Sequence, residues 1–295
     1  MADHLVRIMT KDGSLRACAA ETTMLVDAIC QRQGTDLTAT VALGRLVTGA
    51  ALFGSLLKDE QRLALQIEAN GPLQKLSAET DAYGRVRASI RQPLSNLPPR
   101  NERFDVAGAI GKAGFLHVSK DLGFGEPYRG MVQLVSSEVA EDLAWYLTTS
   151  EQIPSSVGLG VLPREDGHIA VAGGFLIQAL PGADDAQLAE LESRLLALPP
   201  LTSLLREGLS PAAILDRIFS GIETIHQATL PLVFDCSCSR PQALAILALL
   251  PEEERRPLLA EKEITVTCEF CREHYSFTPE ELSGKAEAGE SITKQ

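Results

Sequence analysis

The chain of 295 residues is long enough for two domains, or for one large domain with an appended module. Hydrophobic residues make up 45% of it and charged residues 22%, which is typical of a globular protein with a sizeable core. The formal net charge of −12 argues against a nucleic-acid partner, which needs a basic face, and against docking on an anionic membrane.

The N-terminus shows no basic region followed by an apolar stretch, so it does not predict a secretory signal. The longest apolar stretch covers residues 41–57, and Arg45 and several glycines interrupt it. A membrane-spanning helix needs about 20 apolar residues, so this stretch predicts a buried helix instead. We therefore expect a cytoplasmic protein that does not act at a membrane.

Residues 1–182 predict an α+β core domain. Lys11-Asp12-Gly13 and Asn70-Gly71-Pro72 are turn signals, and the apolar segments on either side of each predict a β-hairpin. Strand pairs with helices inserted in blocks favour α+β over a regular βαβ alternation. Strands are predicted at residues 6–9, 15–19, 63–69, 73–79, 85–90, 115–119, 131–135, 157–162 and 169–179, helices at residues 23–33, 39–57 and 137–151, and a long loop at residues 93–112.

Residues 183–231 predict a helical linker. The helical pattern runs from about residue 184 to 225, with Pro199-Pro200 as a break and Ser210-Pro211 as a new start. One helix carries an apolar stripe formed by Leu188, Leu191, Leu195 and Leu198. Such a stripe could pack permanently on the core, or it could be uncovered to bind a partner. After residue 283 the chain is polar, and we expect this tail to be disordered.

The six cysteines are placed unevenly. Cys18 and Cys30 stand alone in apolar surroundings, which favours small buried hydrophobic side chains over a redox role. The other four crowd the C-terminal end as Cys236, Cys238, Cys268 and Cys271. In a cytoplasmic protein such a group is more typical of metal ligands or reactive thiols than of permanent disulfides.

Residues 232–295 predict a small zinc-binding domain. Cys236-Ser237-Cys238 and Cys268-Glu269-Phe270-Cys271 are two close pairs, and four thiolates in two pairs suit one tetrahedral Zn²⁺. His274 is a conceivable further ligand, but four cysteines already complete the coordination. Short helices are expected at residues 240–249 and 252–261, strands at residues 264–267 and 275–277, and a capping box at residues 278–281.

Zinc would dominate the stability of this domain. About sixty residues gain roughly 3–5 kcal/mol from a core, whereas structural zinc contributes roughly 10–16 kcal/mol. After oxidation, two near-neighbour disulfides would return only about 1.5–2 kcal/mol each, so the domain would loosen. A long-range disulfide such as Cys238 to Cys268 would contribute about 4 kcal/mol and could hold it folded. Near-neighbour disulfides would therefore let the domain unfold on oxidation, whereas a long-range disulfide would keep it folded.

The chain resembles the thirty-three-kilodalton chaperonin family of redox-regulated holdase chaperones over nearly its whole length. The resemblance rests on several long motifs in the family's order: Val118-Ser-Lys-Asp-Leu-Gly123, Glu141-Asp-Leu-Ala-Trp-Tyr-Leu147, Ser150-Glu-Gln-Ile-Pro-Ser155, Ala172-Gly-Gly-Phe-Leu-Ile-Gln178, Phe234-Asp-Cys-Ser-Cys-Ser-Arg240 and Cys268-Glu-Phe-Cys271 with Tyr275. Departures such as Ser136-Ser137 and Pro241-Gln242 touch none of the cysteines.

The resemblance implies a cytoplasmic stress-response chaperone that is inactive when reduced and bound to one zinc ion. Oxidation then expels the zinc and forms the disulfides Cys236–Cys238 and Cys268–Cys271. The switch and linker unfold, the protein tends to form a homodimer, and it holds unfolding client proteins without ATP.

Two other functions compete with this one. A thiol oxidoreductase could use Cys268 and Cys271, although such a pair belongs at a helix N-terminus beside a βαβ unit. A constitutive zinc adaptor could bind a protein partner through residues 236–295, whose excess of acidic residues disfavours nucleic acid. The sequence contains no phosphate-binding loop or nucleophile elbow, so we expect a protein that is not an enzyme.

Overall fold

The computed structural model describes residues 2–99 and 104–283. The chain divides into two compact units, Met1–Asp235 and Cys236–Gln295. The polar tail predicted after residue 283 lies outside the described residues, as do residues 100–103 of the predicted loop. The division places residues 1–182 and 183–231 in one unit, so the separate core and linker boundaries stay a prediction.

The first unit mixes strands and helices, and the α+β class is confirmed. Its strands are β1 (His4–Thr10), β2 (Leu15–Glu21), β3 (Arg62–Ala69), β4 (Lys75–Asp81), β5 (Arg85–Ile90), β6 (Gly114–Asp121), β7 (Tyr128–Gln133), β8 (Ser155–Pro163), β9 (Ile169–Ala179), β10 (Thr224–Pro231) and β11 (Val233–Phe234). Its helices are α1 (Thr23–Gln33), α2 (Leu37–Gly54), α3 (Val106–Ile110), α4 (Val139–Thr149), α5 (Asp185–Leu196), α6 (Leu201–Arg206) and α7 (Pro211–Ile218).

Two sheets enclose helix α2. One sheet has the strand order β10-β1-β2-β9-β8, and the other has the order β11-β5-β4-β3-β6-β7. Helix α2 contacts strands of both sheets, and its side chains fill the largest apolar core. Gly49 lets α4 approach, because a Cβ there would lie 2.4 Å from the side chain of Leu143. The predicted hairpins β1–β2 and β3–β4 are both present.

Helix α2 is the only helix among the described residues that could cross a membrane by length and composition. Its 18 residues have a hydropathy of 1.4, and 89% of them are buried inside the protein. The Asp36 side chain begins the helix by accepting a hydrogen bond from the Ala39 amide at 2.8 Å. These features agree with the predicted buried helix.

Two sequence predictions are wrong in this unit. Residues 224–231, expected to belong to the helical linker, form β10, which pairs with β1 at the edge of its sheet. Most side chains of an edge strand are exposed, so β10 lacks the apolar alternation by which a strand is recognised. The long loop expected at residues 93–112 contains the short helix α3, where Asp105 accepts a hydrogen bond from the Gly108 amide at 2.8 Å.

Helices α5, α6 and α7 cover the face of the five-stranded sheet that points away from α2. Their apolar side chains join those of β1, β2 and β9 in a second core. The predicted stripe lies on this core, with Leu191 buried and its neighbours Leu188, Leu195 and Leu198 partly buried. In this structure the stripe is packed.

The first unit ends in a segment that is firmly held. The Val233 amide donates to Gly84 O at 3.0 Å, and the Asp235 amide donates to Val86 O at 3.2 Å. These bonds belong to the parallel pairing of β11 with β5. The Arg32 guanidinium also lies 4.5 Å from the centre of the Phe234 ring, within the range of a cation–π contact.

The second unit has a much smaller core. It contains α8 (Arg240–Ala248), α9 (Glu252–Leu258), β12 (Ile264–Thr267) and β13 (His274–Phe277), as the sequence predicted. The capping box is confirmed, since the Thr278 amide donates to Glu281 Oε2 at 2.9 Å and starts a final turn of helix. The small core of the second unit is formed by the buried apolar residues Ala243, Leu244, Leu247, Ile264, Phe277 and Leu282.

Candidate metal and redox centre

The four clustered cysteines come from two chain segments. Cys236 and Cys238 lie in the irregular stretch just before α8, whose first turn Ser239 caps through its side chain. Cys268 and Cys271 lie in the turn that joins β12 to β13. Hydrogen bonds shape that turn, with the Cys268 amide donating to Glu273 O at 2.9 Å. The hairpin therefore presents both of its thiols on one tight loop.

The structure brings these four sulfur atoms together. All four Sγ atoms lie within 4.8 Å of one another, and each residue is partly buried. The Sγ atoms of Cys236 and Cys268 are 3.7 Å apart, and those of Cys238 and Cys271 are 3.2 Å apart. Both of these contacts join a cysteine of the first pair to a cysteine of the second. This arrangement could hold a metal ion.

The thiols differ in how readily they ionise. Burial raises the pKa of Cys236 and of Cys271. Burial also opposes ionisation of Cys268, but hydrogen bonds from the Cys271 and Phe270 backbone amides outweigh it and lower its pKa to about 7. A cluster in which one thiol is readily deprotonated is suited to capture a cation and to react with an oxidant.

Two side chains that sequence reasoning left without a role support the cluster. The Tyr275 hydroxyl lies 3.2 Å from Cys238 Sγ, and this hydrogen bond is the main cause of the raised pKa of Tyr275. The Arg240 guanidinium lies 4.6 Å from the centre of the Phe277 ring and 2.8 Å from Glu281 Oε1. Arg240 therefore ties the start of α8 to the residues around β13. Neither contact could be read from spacing, because the partners lie more than thirty residues apart.

The remaining histidine and cysteine candidates lie elsewhere. His274 Nδ1 pairs with Thr267 Oγ1 at 2.8 Å on the neighbouring strand, so it is used outside the cysteine cluster. Cys18 and Cys30 are both 2% exposed and lie in the largest apolar core. Burial raises the pKa of Cys18 to about 11 and that of Cys30 to about 12, which agrees with unreactive, hydrophobic thiols.

Comparisons with known proteins identify one family. The family model described as Hsp33 protein matches residues 3–278. The 33 kDa chaperonin of Syntrophotalea carbinolica is 62% identical over 283 residues, covering 96% of this chain and 98% of the relative. That of Bacillus subtilis is 40% identical over 284 residues, covering 96% and 97%. The crystal structure of the 33 kDa chaperonin from Thermotoga maritima has a TM-score of 0.89 and 34% identity, covering 98% of this chain and 99% of that one.

Proposed function

Because the chain belongs to the Hsp33 family of chaperones, we propose that it is a redox-regulated holdase that acts in the cytoplasm. It binds one zinc ion and is inactive when reduced. Oxidation releases the metal and forms the disulfides Cys236–Cys238 and Cys268–Cys271. The oxidised protein forms a homodimer and binds unfolding client proteins without catalysing a reaction or consuming ATP.

The observation that carries the proposal is the spacing of the four sulfur atoms. A tetrahedron with zinc–sulfur bonds of about 2.3 Å has sulfur–sulfur edges of about 3.8 Å. The Cys236–Cys268 sulfur distance of 3.7 Å matches that value, the Cys238–Cys271 distance of 3.2 Å is shorter, and all four sulfurs lie within 4.8 Å of one another. Sulfur-only coordination favours zinc among the common ions. Zinc would keep the thiolates deprotonated yet shielded, so that background oxidation is slow.

Zinc would also hold the second unit in its folded form. The unit's core is small, so the metal would supply most of its stability. Near-neighbour disulfides would draw the two sulfurs of each close pair to bonding distance, from a cluster in which all four sulfurs lie within 4.8 Å of one another. Forming the proposed disulfides therefore disrupts the arrangement on which the fold rests, which is what a switch needs.

The proposed client surface is the second apolar core. Residues on α5 alternate between exposed positions and the packed stripe, and Leu191 is its one fully buried residue. A helix with so little burial detaches at low free-energy cost. Its departure would uncover apolar side chains on the sheet, such as Val6, Ile8 and Ile177. Apolar area of this kind binds unfolded chains without sequence specificity.

The test is light scattering from a thermally unfolding client protein. Full-length protein is added either zinc-loaded and reduced, or treated with peroxide at raised temperature. We expect suppression of aggregation only after oxidation, with reversal by a dithiol reductant. Cys268→Ser should lose this dependence on oxidant, whereas the matched variant Cys18→Ser should keep it. Equal behaviour of the two redox states would contradict the proposal and favour a constitutive zinc adaptor.

The structure lends no support to a thiol oxidoreductase. Cys268 and Cys271 lie in a turn between two short antiparallel strands, not at the N-terminus of a helix in a βαβ unit. The helix dipole that lowers the pKa of a thioredoxin-like nucleophile does not act there. Turnover of a disulfide substrate by the reduced protein would revive this alternative.

A further inference from the structure

One strand of the small unit faces both its core and its sulfur cluster. Side chains on β13 alternate, so that Tyr275 and Phe277 point to the same side. Phe277 is 1% exposed in the small core, and the Tyr275 ring packs against that core. The hydroxyl of Tyr275 extends beyond the core to lie 3.2 Å from Cys238 Sγ. Position 275 therefore links the packing of the core to one sulfur.

The hydrogen bond to Cys238 differs in kind from those to the other three sulfurs. Backbone amides donate to Cys236, Cys268 and Cys271, and every residue other than proline supplies such a donor. The Tyr275 hydroxyl is a side-chain donor, so the sequence sets whether Cys238 receives it. A thiolate can only accept, so the phenol is the donor when Cys238 is ionised.

We propose that Tyr275 is a positioning residue that slows the reaction of Cys238 with oxidants and so raises the oxidant threshold of the switch. This inference rests on the proposed function. A donor at Sγ withdraws electron density from the thiolate and fixes the direction in which its lone pairs point. Both effects make the sulfur a weaker nucleophile, as hydrogen bonds to metal-bound sulfur tune its reactivity in other centres.

The step that Tyr275 slows is attack on hydrogen peroxide. Cys238 Sγ attacks one peroxide oxygen, the O–O bond breaks and an S–O bond forms, so the thiolate becomes a sulfenic acid and the departing hydroxide takes up a proton to become water. A neighbouring thiol then attacks that sulfur, an S–S bond forms, and water leaves. Two thiols lose two electrons in total, and one peroxide is reduced to two waters. The tyrosine is not consumed.

The experiment compares Tyr275→Phe with the unaltered full-length protein, both loaded with zinc and reduced. The phenylalanine keeps the ring in the core and removes only the donor. Tyr83→Phe is the matched control, because that hydroxyl bonds Glu60 in the first unit. Zinc release under excess peroxide is followed with a chromogenic chelator. Loss of one hydrogen bond should speed release about three- to tenfold, with no change in initial zinc content.

A second readout locates the effect. Brief treatment with a limiting thiol-alkylating reagent and peptide mass spectrometry should show a larger share of modification at Cys238 in Tyr275→Phe, but not in Tyr83→Phe. Equal release rates, or faster release without a shift towards Cys238, would overturn the proposal. Neither readout uses client binding. A failed holdase assay, or an unaltered protein that binds no zinc, would therefore contradict the proposed function and not the role of Tyr275.

A third variant covers the case in which Tyr275→Phe does not bind zinc. Site-specific 3-fluorotyrosine at position 275 keeps the shape of the ring and strengthens the hydroxyl as a donor. At neutral pH it should slow zinc release about twofold relative to tyrosine, which is a fraction of one hydrogen bond. Unchanged or faster release in this variant would overturn the proposal by itself.

Discussion

The two compact units place their cysteines in opposite surroundings. In the first unit, Cys18 and Cys30 are buried in a large apolar core, where each thiol makes a long contact of 3.9 Å to a backbone carbonyl and Cys18 also accepts from Ser55 Oγ at 3.4 Å. In the second unit, four partly exposed thiols contact one another beside a core of few residues. A thiol can react without damage to the rest of the molecule where the local fold alone depends on it. The accessible thiols therefore lie in the unit that has the least packing to lose.

Removal of the metal gives the largest expected difference between the units. With a strong chelator and reductant, the second unit should unfold, because roughly 10–16 kcal/mol of metal binding is lost against a core worth roughly 3–5 kcal/mol. Amide hydrogen exchange of the full chain measures this directly. We expect protection to vanish in α8, β12 and β13 and to persist in α2. Persisting protection in β12 and β13 would contradict a metal-dependent unit.

Packing in the first unit should be just as visible when a large side chain is truncated. Leu43 in α2 is 0% exposed, and Leu43→Ala should lower the free energy of unfolding by about 2–5 kcal/mol. Leu196→Ala is the control, because that side chain is 89% exposed and its loss should cost less than about 0.5 kcal/mol. Urea unfolding followed by the fluorescence of Trp145 gives both values. Similar values for the two variants would show that the core is less tightly packed than the structure indicates.

Thiol labelling compares the chemical reactivity of cysteines in the two units. Burial raises the pKa of Cys18 from 9.0 to about 11, so at pH 8 its thiolate fraction falls roughly a hundredfold. Labelling of Cys18 should therefore be slow and should speed up as the pH rises towards 11, whereas Cys268, which becomes exposed when removal of the metal unfolds the second unit, should label much faster than Cys18 at pH 8. Mass spectrometry after timed alkylation measures both. Fast labelling of Cys18 in the folded protein would contradict its burial.

The smallest effect is expected from a surface contact in the second unit. Arg240→Lys breaks the paired hydrogen bonds to Glu281 and weakens the stacking on Phe277, and should cost about 0.5–1 kcal/mol. Arg256→Lys is the control, since its exposed pair with Glu252 lies within one helix. Thermal unfolding of the zinc-loaded protein compares them. A larger loss for Arg256→Lys would show that Arg240 does not tie α8 to β13.

The sequence predicted features whose signals are local. The hairpin at Lys11-Asp12-Gly13, the end of α1 at Gly34 and the four clustered cysteines each follow from residues that are close in the chain. The α+β class follows from the order of such elements. Each of these features is specified by backbone conformation or ligand chemistry at its own position, so tertiary packing had little to add.

The features that the sequence did not predict depend on distant partners. Strand β10 is held by β1, more than two hundred residues earlier, and its own side chains are largely exposed. The hydrogen bond between Tyr275 and Cys238 joins residues 37 apart across the small unit. Tyr275 is part of the family signature, but its contact with Cys238 is created by the fold of the small unit. Pairing of this kind leaves no periodic pattern to read.

The position of β10 and β11 in the chain has a further consequence. The helices α5 to α7 are tethered at both ends, by β9 before them and by β10 after them. Unfolding that spreads from Cys236 towards α7 must first break the backbone hydrogen bonds of β11 to β5, and then those of β10 to β1 along the whole length of β10. These two strands therefore separate the cysteine cluster from the apolar helices along the chain. Under the proposed function, they would have to open before oxidation of the cysteines could uncover the second apolar core.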